Sequence, residues 1–221
     1  MNIQKIPHAK PAGCNGCSSL QTTIVKIDPA HPEQAFSRCR DVIRAGGVIA
    51  YPTDTFYGLG ADPGNPSAVR RLFEIKSRQS DQPVLLLIPD ADAVRAWAVE
   101  VTACADDLMR RFWPGPLTLV FKARPTVMRE LTGGTNSIGL RVPGAAITRE
   151  LVGFLGSALT GTSANISGEP SPRTATEAAA SIGSMVDLIL DGGMTAGGKP
   201  STVLDVRGKE PVIIREGALM L

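Results

Sequence analysis

Short apolar runs alternate with amphipathic helical segments along almost the whole chain. The run at 84–88 is wholly apolar and lies between Pro83 and Pro89, a pattern typical of a buried central strand. Asn65 and Pro66 together form a strong helix start, after which apolar residues recur at helical spacing. Because strands and helices are interleaved without a composition shift, we predict a single α/β domain with a twisted mixed sheet flanked by helices.

The same patterns place the individual elements. Strands are expected at 23–27, 48–53, 84–88, 117–122, 137–142, 158–160, 186–190, 202–206 and 212–215. Helices are expected at 33–44, 66–76, 90–99, 103–112, 145–155 and 174–182. Residues 1–22 are polar and aperiodic, so we predict a flexible N-terminal tail at 1–22 and a folded domain at 23–221.

The composition is that of an ordinary globular protein. The 221 residues are 43% apolar, enough to fill a core, and the formal net charge of +2 does not by itself argue for nucleic acid. No apolar stretch approaches the roughly 20 residues of a membrane span, and the first residues lack the apolar middle of a signal peptide. We therefore expect a cytoplasmic protein that does not enter a membrane.

Four cysteines are present. Cys14 and Cys17 have the spacing of half a zinc site or of a redox pair, but the chain has no second pair at metal spacing, and its two histidines are poorly placed. We interpret them as two thiols in the tail. Cys39 and Cys104 fall on faces of predicted helices and are expected in the core.

The segment YPTDTFYGLG at 51–60 combines two threonine hydroxyls, a carboxylate and a Gly-x-Gly turn at the end of a predicted strand. The next helix brings Lys76 and Arg78 about one turn past its last apolar contacts. Hydroxyls, backbone amides and cations suit an anionic ligand at the edge of a sheet. The alternative is that both cations belong to a solvated last helical turn, where they complement the macrodipole.

Two arginines and one polar cluster also have both a ligand-binding and a purely structural interpretation. Arg141 lies inside the apolar strand at 137–142, where it is either a solvated edge residue or a fork that binds a ligand carboxylate. Arg215, at the end of the strand at 212–215, poses the same choice. The cluster TSANISG at 162–168 fits either a ligand site or a simple chain reversal.

Several familiar kinds of site are absent from the sequence. The near-match to a P-loop at 193–199 has Pro200 where a serine or threonine is required, and a β-rich segment follows instead of a helix. Neither histidine is near a candidate nucleophilic serine, and no acid pair stands out. The WPGP segment at 113–116 is expected to be architectural. The remaining polar groups favour binding and orienting charged groups over covalent catalysis.

Seven motifs, in this order, resemble the YrdC-like family of threonylcarbamoyl-AMP synthases in its short bacterial form, without the extra C-terminal domain. They are PTDTFYGLG (52–60), KSR (76–78), WPGPLT (113–118), SIGLRVP (137–143), TSANISG (162–168), STVLD (201–205) and REG (215–217). Each motif alone is weak evidence, but seven in register are highly specific. The resemblance implies a YrdC-like α/β fold with a large, basic, concave cavity.

The resemblance also implies a nucleotidyltransferase reaction. L-Threonine, bicarbonate and ATP, with Mg²⁺ on the ATP, would give threonylcarbamoyl-AMP and pyrophosphate. The product would supply a tRNA threonylcarbamoyl-transferase complex, so that tRNA itself is contacted only indirectly or weakly. No protein side chain is expected to ligate a metal.

Residue roles follow from the same resemblance. Threonine is expected to contact Thr55, Arg141, Gly161 and Ser201. ATP is expected to contact Lys76, Arg78, Gln82, Ser137, Ser163, Asn165, Ser171 and Arg215. The catalytic residues are expected to be Lys76, Arg78 and Arg141.

The sequence departs from the family pattern near the expected threonine pocket. Gln82 and Leu87 stand where two-domain members typically carry asparagine and histidine, and Asp54 stands where glutamate is common. Because Leu87 donates no hydrogen bond, a related enzyme with a different amine substrate stays a possible interpretation. A non-catalytic, RNA-binding or ribosome-associated module on the same fold is the other.

Overall fold

The computed structural model describes residues 3–5, 22–77 and 83–220, the first three by their backbone alone. The helices are α1 (Pro32–Arg44), α2 (Pro66–Ile75), α3 (Val94–Trp97), α4 (Ala103–Phe112), α5 (Arg129–Thr132), α6 (Ala146–Leu155) and α7 (Ala175–Ile182), and a 3₁₀ turn, Gly183–Met185, follows α7. The strands are β1 (Ile3–Lys5), β2 (Thr23–Lys26), β3 (Ile49–Tyr51), β4 (Gly58–Gly60), β5 (Leu85–Leu87), β6 (Leu117–Lys122), β7 (Ser137–Arg141), β8 (Leu159–Ser163), β9 (Leu188–Asp191), β10 (Thr202–Asp205) and β11 (Val212–Arg215).

The eleven strands form one sheet in the order β1-β2-β9-β3-β4-β8-β5-β7-β6-β10-β11. Neighbours are parallel in β2–β9, β9–β3, β5–β7 and β6–β10, and the other neighbouring pairs are antiparallel. The prediction of one α/β domain with a mixed sheet is therefore confirmed.

One face of the sheet packs against helices along most of its width. Beneath α2 and α7 it contributes Ala50, Leu59 and Ile189 to one apolar cluster. Further along, Leu119 and Leu140 belong to a second cluster that includes residues of α3, α4 and α5. Because side chains alternate between the faces of a strand, the neighbours of these residues must lie on the opposite face.

The opposite face is divided into two halves. Over β2, β9 and β3 it packs against α1 and α6, with Val25, Ile49 and Leu188 meeting Phe36 and Leu151. Over β5, β7, β6 and β10 the same face lines a cavity, and we call this part the open half of the sheet. The division of one face into a packed half and an open half positions the candidate site.

Helix α2 begins and ends where the sequence predicts. Asn65 caps it, because its Oδ1 accepts hydrogen bonds from the backbone N–H groups of Ser67 and Ala68 at 3.0 and 3.2 Å. The helix buries the apolar stripe that includes Leu72 and ends at Ile75. Its C-terminal end therefore places the next residue, Lys76, beside the end of the inner strand β8.

Some predicted elements were wrong in extent or were missed. The helix expected at 90–99 is only Val94–Trp97, and the strand expected at 158–160 runs from Leu159 to Ser163. Strand β4 was missed because its glycines carry no β-propensity. They are needed for close approach, since a Cβ at Gly60 would lie 2.7 Å from Cε1 of Tyr51.

The N-terminal region departs from the predicted flexible tail at the positions that the structure describes. Strand β1 pairs with β2, and the buried Thr22 donates a hydrogen bond from its Oγ1 to the backbone oxygen of Val186 at 3.1 Å. Residues 6–21, with Cys14 and Cys17, lie outside the described residues.

The other two cysteines lie in helices, as expected. Cys39 is fully buried in the core, and burial raises the pKa of its thiol to about 12. Cys104 is partly buried against the cluster beneath α4. Within the described residues, no helix combines the length and the apolar character needed to cross a bilayer.

Thr160 ties β8 to its surroundings through a fully buried hydroxyl, which accepts the backbone N–H of Ala61 at 2.8 Å. Thr160→Val keeps the shape and removes this acceptor, so we expect the free energy of unfolding to fall by about 1–3 kcal/mol in urea denaturation. Thr126→Val is the control, because this exposed residue lies away from such contacts and should change stability by less than about 0.5 kcal/mol. Equal losses in the two variants would contradict the expectation.

Candidate active site

The open half of the sheet forms the floor of a cavity of about 520 Å³. The floor comes from β5, β7, β6 and β10, and the walls come from the segment after β3, the end of β8 and the C-terminal end of β11. The polar groups in the lining are mainly hydroxyls and guanidinium groups, contributed by Thr53, Thr55, Thr118, Ser137, Arg141, Thr162, Ser163, Ser171, Ser201, Arg207 and Arg215.

Strand alternation explains how a polar floor arises from apolar strands. In β7, Ile138 and Leu140 belong to the core cluster, whereas Ser137, Gly139 and Arg141 line the cavity. The parallel register of β5 and β7 then places Leu87 directly beside Arg141 on the floor. One strand thus supplies both the core and the candidate site.

Arg141 is an inner-strand residue and only 4% exposed, so the alternative of a solvated edge residue is wrong. Its Nε donates to the backbone oxygen of Gly115 at 3.0 Å, and its Nη2 donates to Oδ2 of Asp54 at 2.5 Å. Among the described residues its Nη1 has no hydrogen-bond partner, and Arg141 is part of the cavity lining. A guanidinium held in this way suits an anionic ligand.

The turn at 113–116 supports this arginine. Trp113 donates from its indole Nε1 to the backbone oxygen of Leu117 at 2.7 Å, and the backbone N–H of Gly115 donates to Val142. The Gly115 carbonyl is thereby fixed beside Arg141. The segment is architectural, as predicted, and it also supplies a hydrogen-bond acceptor to the candidate site.

Arg215 is the second guanidinium of the cavity. It donates to Ser201, from Nε and Nη2 to the backbone oxygen at 3.2 and 2.8 Å and from Nη2 to Oγ at 3.2 Å. Ser201 Oγ in turn lies 3.0 Å from Oγ1 of Thr118. Arg215 is an exposed residue of the edge strand β11, but partial burial of its guanidinium lowers its pKa, and the positive charge of Arg141 lowers it further. An anion bound near both guanidiniums would offset this repulsion.

In the threonine-rich turn after β3, some side chains line the cavity and others do not. Thr53 Oγ1 accepts the backbone N–H groups of Thr55 and Phe56 at 3.1 and 3.3 Å and donates to the Phe56 carbonyl at 2.6 Å. Thr55 lines the cavity, whereas Asp54 contacts Arg141 behind the lining. The carboxylate of this motif therefore does not face the ligand space.

Lys76 also lies behind the cavity wall. It is 4% exposed, and its Nζ contacts the Ser163 carbonyl at 2.8 Å, Ser163 Oγ at 3.1 Å, the Asn165 carbonyl at 2.8 Å and Asn165 Oδ1 at 3.0 Å. The alternative of a solvated last turn is wrong for Lys76. Ser163 lines the cavity, whereas Lys76 and Asn165 do not belong to the lining. Lys76 therefore contacts the cavity wall through Ser163.

The structure brings most of the predicted site residues together. The cavity lining includes Thr55, Ser137, Arg141, Gly161, Ser163, Ser171, Ser201 and Arg215. Lys76 and Asn165 lie immediately behind it, whereas Arg78 and Gln82 lie outside the described residues. The roles assigned to these residues stay predictions.

Sequence reasoning missed Thr118 and Arg207, which also line the cavity. Arg207 binds Asp205 through two parallel contacts, Nε to Oδ1 at 2.9 Å and Nη2 to Oδ2 at 2.6 Å, and this hydrogen bonding lowers the pKa of Asp205. Arg207 continues the strand alternation that starts at the predicted site residue Ser201. That alternation was the available signal for Arg207.

The described lining of the cavity carries three guanidinium groups, and two of them are paired with carboxylates that lie outside the lining. Arg141, Arg207 and Arg215 are the ionisable residues among its described lining apart from the tyrosines, and that lining contains no carboxylate. Within the described residues, no group of three His, Cys, Asp or Glu side chains is placed to hold a metal ion. The arrangement can neutralise and align anions.

The sequence of this chain is similar to those of several known proteins. A family model named Sua5_yciO_yrdC, described as telomere recombination, matches residues 41–217. The threonylcarbamoyl-AMP synthase of Pyrococcus abyssi is 38% identical over 200 residues, which are 90% of this chain and 59% of that protein. The synthase of Thiobacillus denitrificans is 39% identical over 168 residues, covering 74% of this chain and 87% of that protein.

The fold is also similar to that of a solved structure. The crystal structure of P. abyssi Sua5 complexed with L-threonine superposes with a TM-score of 0.85 at 37% identity. The match covers 89% of this chain and 58% of the other, so this chain spans less than two thirds of the Pyrococcus protein.

Proposed function

We propose a function for this cavity on the premise that the chain belongs to the Sua5/YciO/YrdC family. The chain is an L-threonylcarbamoyladenylate synthase, which converts L-threonine, bicarbonate and ATP to threonylcarbamoyl-AMP and pyrophosphate. The observation that carries this proposal is the pair of guanidiniums, Arg141 and Arg215, in a hydroxyl-lined cavity whose described lining holds no carboxylate.

The chemistry explains why such a cavity suffices. The threonine amine forms an N–C bond to the carbon derived from bicarbonate, water leaves, and a carbamate results. A carbamate oxygen then attacks the α-phosphorus of ATP while the bond to the bridging β-phosphate oxygen breaks and pyrophosphate leaves. Both reactants are anions, so the protein must neutralise their charges, align the reacting atoms and exclude water from the site. No protein nucleophile is needed.

The residues divide between the two substrates. On the threonine side, Nη1 of Arg141 binds the α-carboxylate, with Thr55, the Gly161 backbone and Ser201 around the rest of the molecule. On the ATP side, the contacts come from Ser137, Ser163, Ser171 and Arg215, together with Arg78 and Gln82. Since Lys76 and Asn165 lie behind the wall, we assign them to holding Ser163 in place.

Mg²⁺ enters this proposal with the nucleotide. The described lining supplies hydroxyl oxygens, such as those of Ser137 and Ser163, but no carboxylate, which fits an ion carried mainly by the phosphates. Bound there, the ion supplies charge neutralisation on the phosphates.

We further propose that the product is made in the cytoplasm and is passed to a tRNA threonylcarbamoyl-transferase complex. An adenylate of a carbamate is short-lived in water, so a consumer must be at hand. Contact with tRNA itself is then indirect or weak.

The test is pyrophosphate release by the purified chain with ATP, bicarbonate and Mg²⁺, comparing L-threonine, L-serine and no amino acid. We expect turnover that requires both threonine and bicarbonate and that falls about 100-fold or more when EDTA removes the metal. Turnover with another amine would indicate a related enzyme that Leu87 has adapted. Salt-sensitive RNA binding without turnover would indicate a non-catalytic module and overturn the proposal.

A further inference from the structure

We infer that Asp54 is the positioning residue of the carboxylate clamp, by which we mean the Arg141 guanidinium. The inference rests on the proposed function and deepens it. Asp54 Oδ2 accepts from Arg141 Nη2 at 2.5 Å, yet Asp54 does not belong to the cavity lining. It therefore acts on the substrate only through the arginine.

The clamp is held on two of its three nitrogens. The Gly115 carbonyl accepts from Nε and Asp54 accepts from Nη2, so the guanidinium plane is fixed and Nη1 remains for the ligand. An arginine that is already oriented loses little conformational freedom when it binds a carboxylate.

Asp54 is itself held in place by the segment that follows β7. Its Oδ1 accepts the backbone N–H of Gly144 at 3.0 Å, and a Cβ on Gly144 would lie only 2.9 Å from Asp54 Oδ2. Thr148 donates from Oγ1 to the Pro52 carbonyl at 2.7 Å and so joins the two segments. The position of this carboxylate is thus set by contacts from the segments at 52–55 and 142–148.

The chain contains a matched control for this arrangement. Asp187 pairs with Arg71 through Oδ2 at 2.5 Å and Oδ1 at 3.1 Å and accepts the backbone N–H of Val48 at 2.7 Å. This is the same combination of arginine and backbone donor, at a place outside the cavity lining. Asp187→Asn therefore reports what the loss of such a carboxylate does to stability alone.

The experiment compares Asp54→Asn and Asp187→Asn with the unmodified chain. Calorimetry measures L-threonine affinity, pyrophosphate release measures KM and kcat, and thermal denaturation measures Tm. For Asp54→Asn we expect L-threonine affinity to fall and its KM to rise about tenfold, with kcat and the KM for ATP changed less than about threefold. For Asp187→Asn we expect a lower Tm with unchanged threonine parameters.

Two further variants keep the test decisive if Asp54→Asn does not fold. Asp54→Glu retains the charge but moves the carboxylate, and Gly144→Ala pushes against Asp54 without altering any charge. Both should raise the threonine KM and leave the KM for ATP unchanged. If Asp54→Asn and Gly144→Ala lower Tm but leave threonine affinity unchanged, the inference is wrong. A loss confined to kcat would also overturn it, because it would place Asp54 in the chemistry.

Failure of the proposed function would look different. If the unmodified chain binds L-threonine but releases no pyrophosphate, the synthase proposal fails, while the affinity of Asp54→Asn still decides the role of Asp54. If the unmodified chain does not bind L-threonine at all, both proposals are overturned.

Discussion

Arg141→Ala is expected to lower kcat/KM for L-threonine by about 100- to 1000-fold, the size of effect typical for loss of a desolvated charge-assisted contact. The physical reason is that no other described guanidinium is anchored beside Leu87 on the floor of the cavity. Pyrophosphate release at varied threonine concentrations measures the change. Arg141→Lys should rescue little, because an ammonium cannot reproduce the planar fork.

The substitution also leaves Asp54 partly buried without its arginine, so a loss of stability must be separated from a loss of binding. The double variant Asp54→Asn with Arg141→Ala removes the unpaired charge and should recover Tm without recovering turnover. Arg71→Ala breaks the comparable pair with Asp187 and should lower Tm while leaving the threonine KM unchanged. Turnover by Arg141→Ala within about threefold of the unmodified chain would refute the assignment of the clamp.

Lys76→Met is expected to lower the free energy of unfolding by about 2–5 kcal/mol and to reduce turnover about 100-fold or more. The ammonium contacts four oxygens of Ser163 and Asn165, and methionine would leave them without this buried donor. Urea denaturation and pyrophosphate release give the two numbers. Lys26→Met, at an exposed position on β2, is the control for removal of a positive charge.

The result also distinguishes two roles for Lys76. If it holds the wall at Ser163, stability and turnover should fall together, and Lys76→Arg should not restore them because the larger guanidinium does not fit the same four contacts. A variant with unchanged stability and a raised KM for ATP alone would contradict the assignment. It would show that Lys76 binds the phosphates directly.

Sequence patterns predicted the parts of this molecule that depend on local chemistry. The Asn65 cap, the apolar stripe of α2 and the apolar strand at 84–88 follow from spacing and capping alone. The resemblance then predicted that Arg141 and Ser201 share one site, and both line the same cavity. These predictions needed no knowledge of how distant segments pair.

The parts that were missed depend on long-range pairing. A lysine at a helix end has the same local pattern whether it is solvated or buried, and Lys76 is buried because the end of β8 and the segment after it approach the helix. Strand β4 exists because Gly58 and Gly60 lie between β3 and β8, which propensity does not indicate. Arg207 reaches the cavity only because β10 pairs with β6.

The division of labour along β7 has a consequence for how this protein can change over time. Residues of one parity hold the core, and residues of the other parity meet the ligand. Substitutions at Ser137 or Gly139 can therefore alter recognition while Ile138 and Leu140 keep the fold. A single-residue insertion in the strand would exchange the two sets at once. Substitutions on the ligand-facing side of β7 can thus change the substrate while the fold is kept. Insertions or deletions in β7 would disrupt the core and the site together.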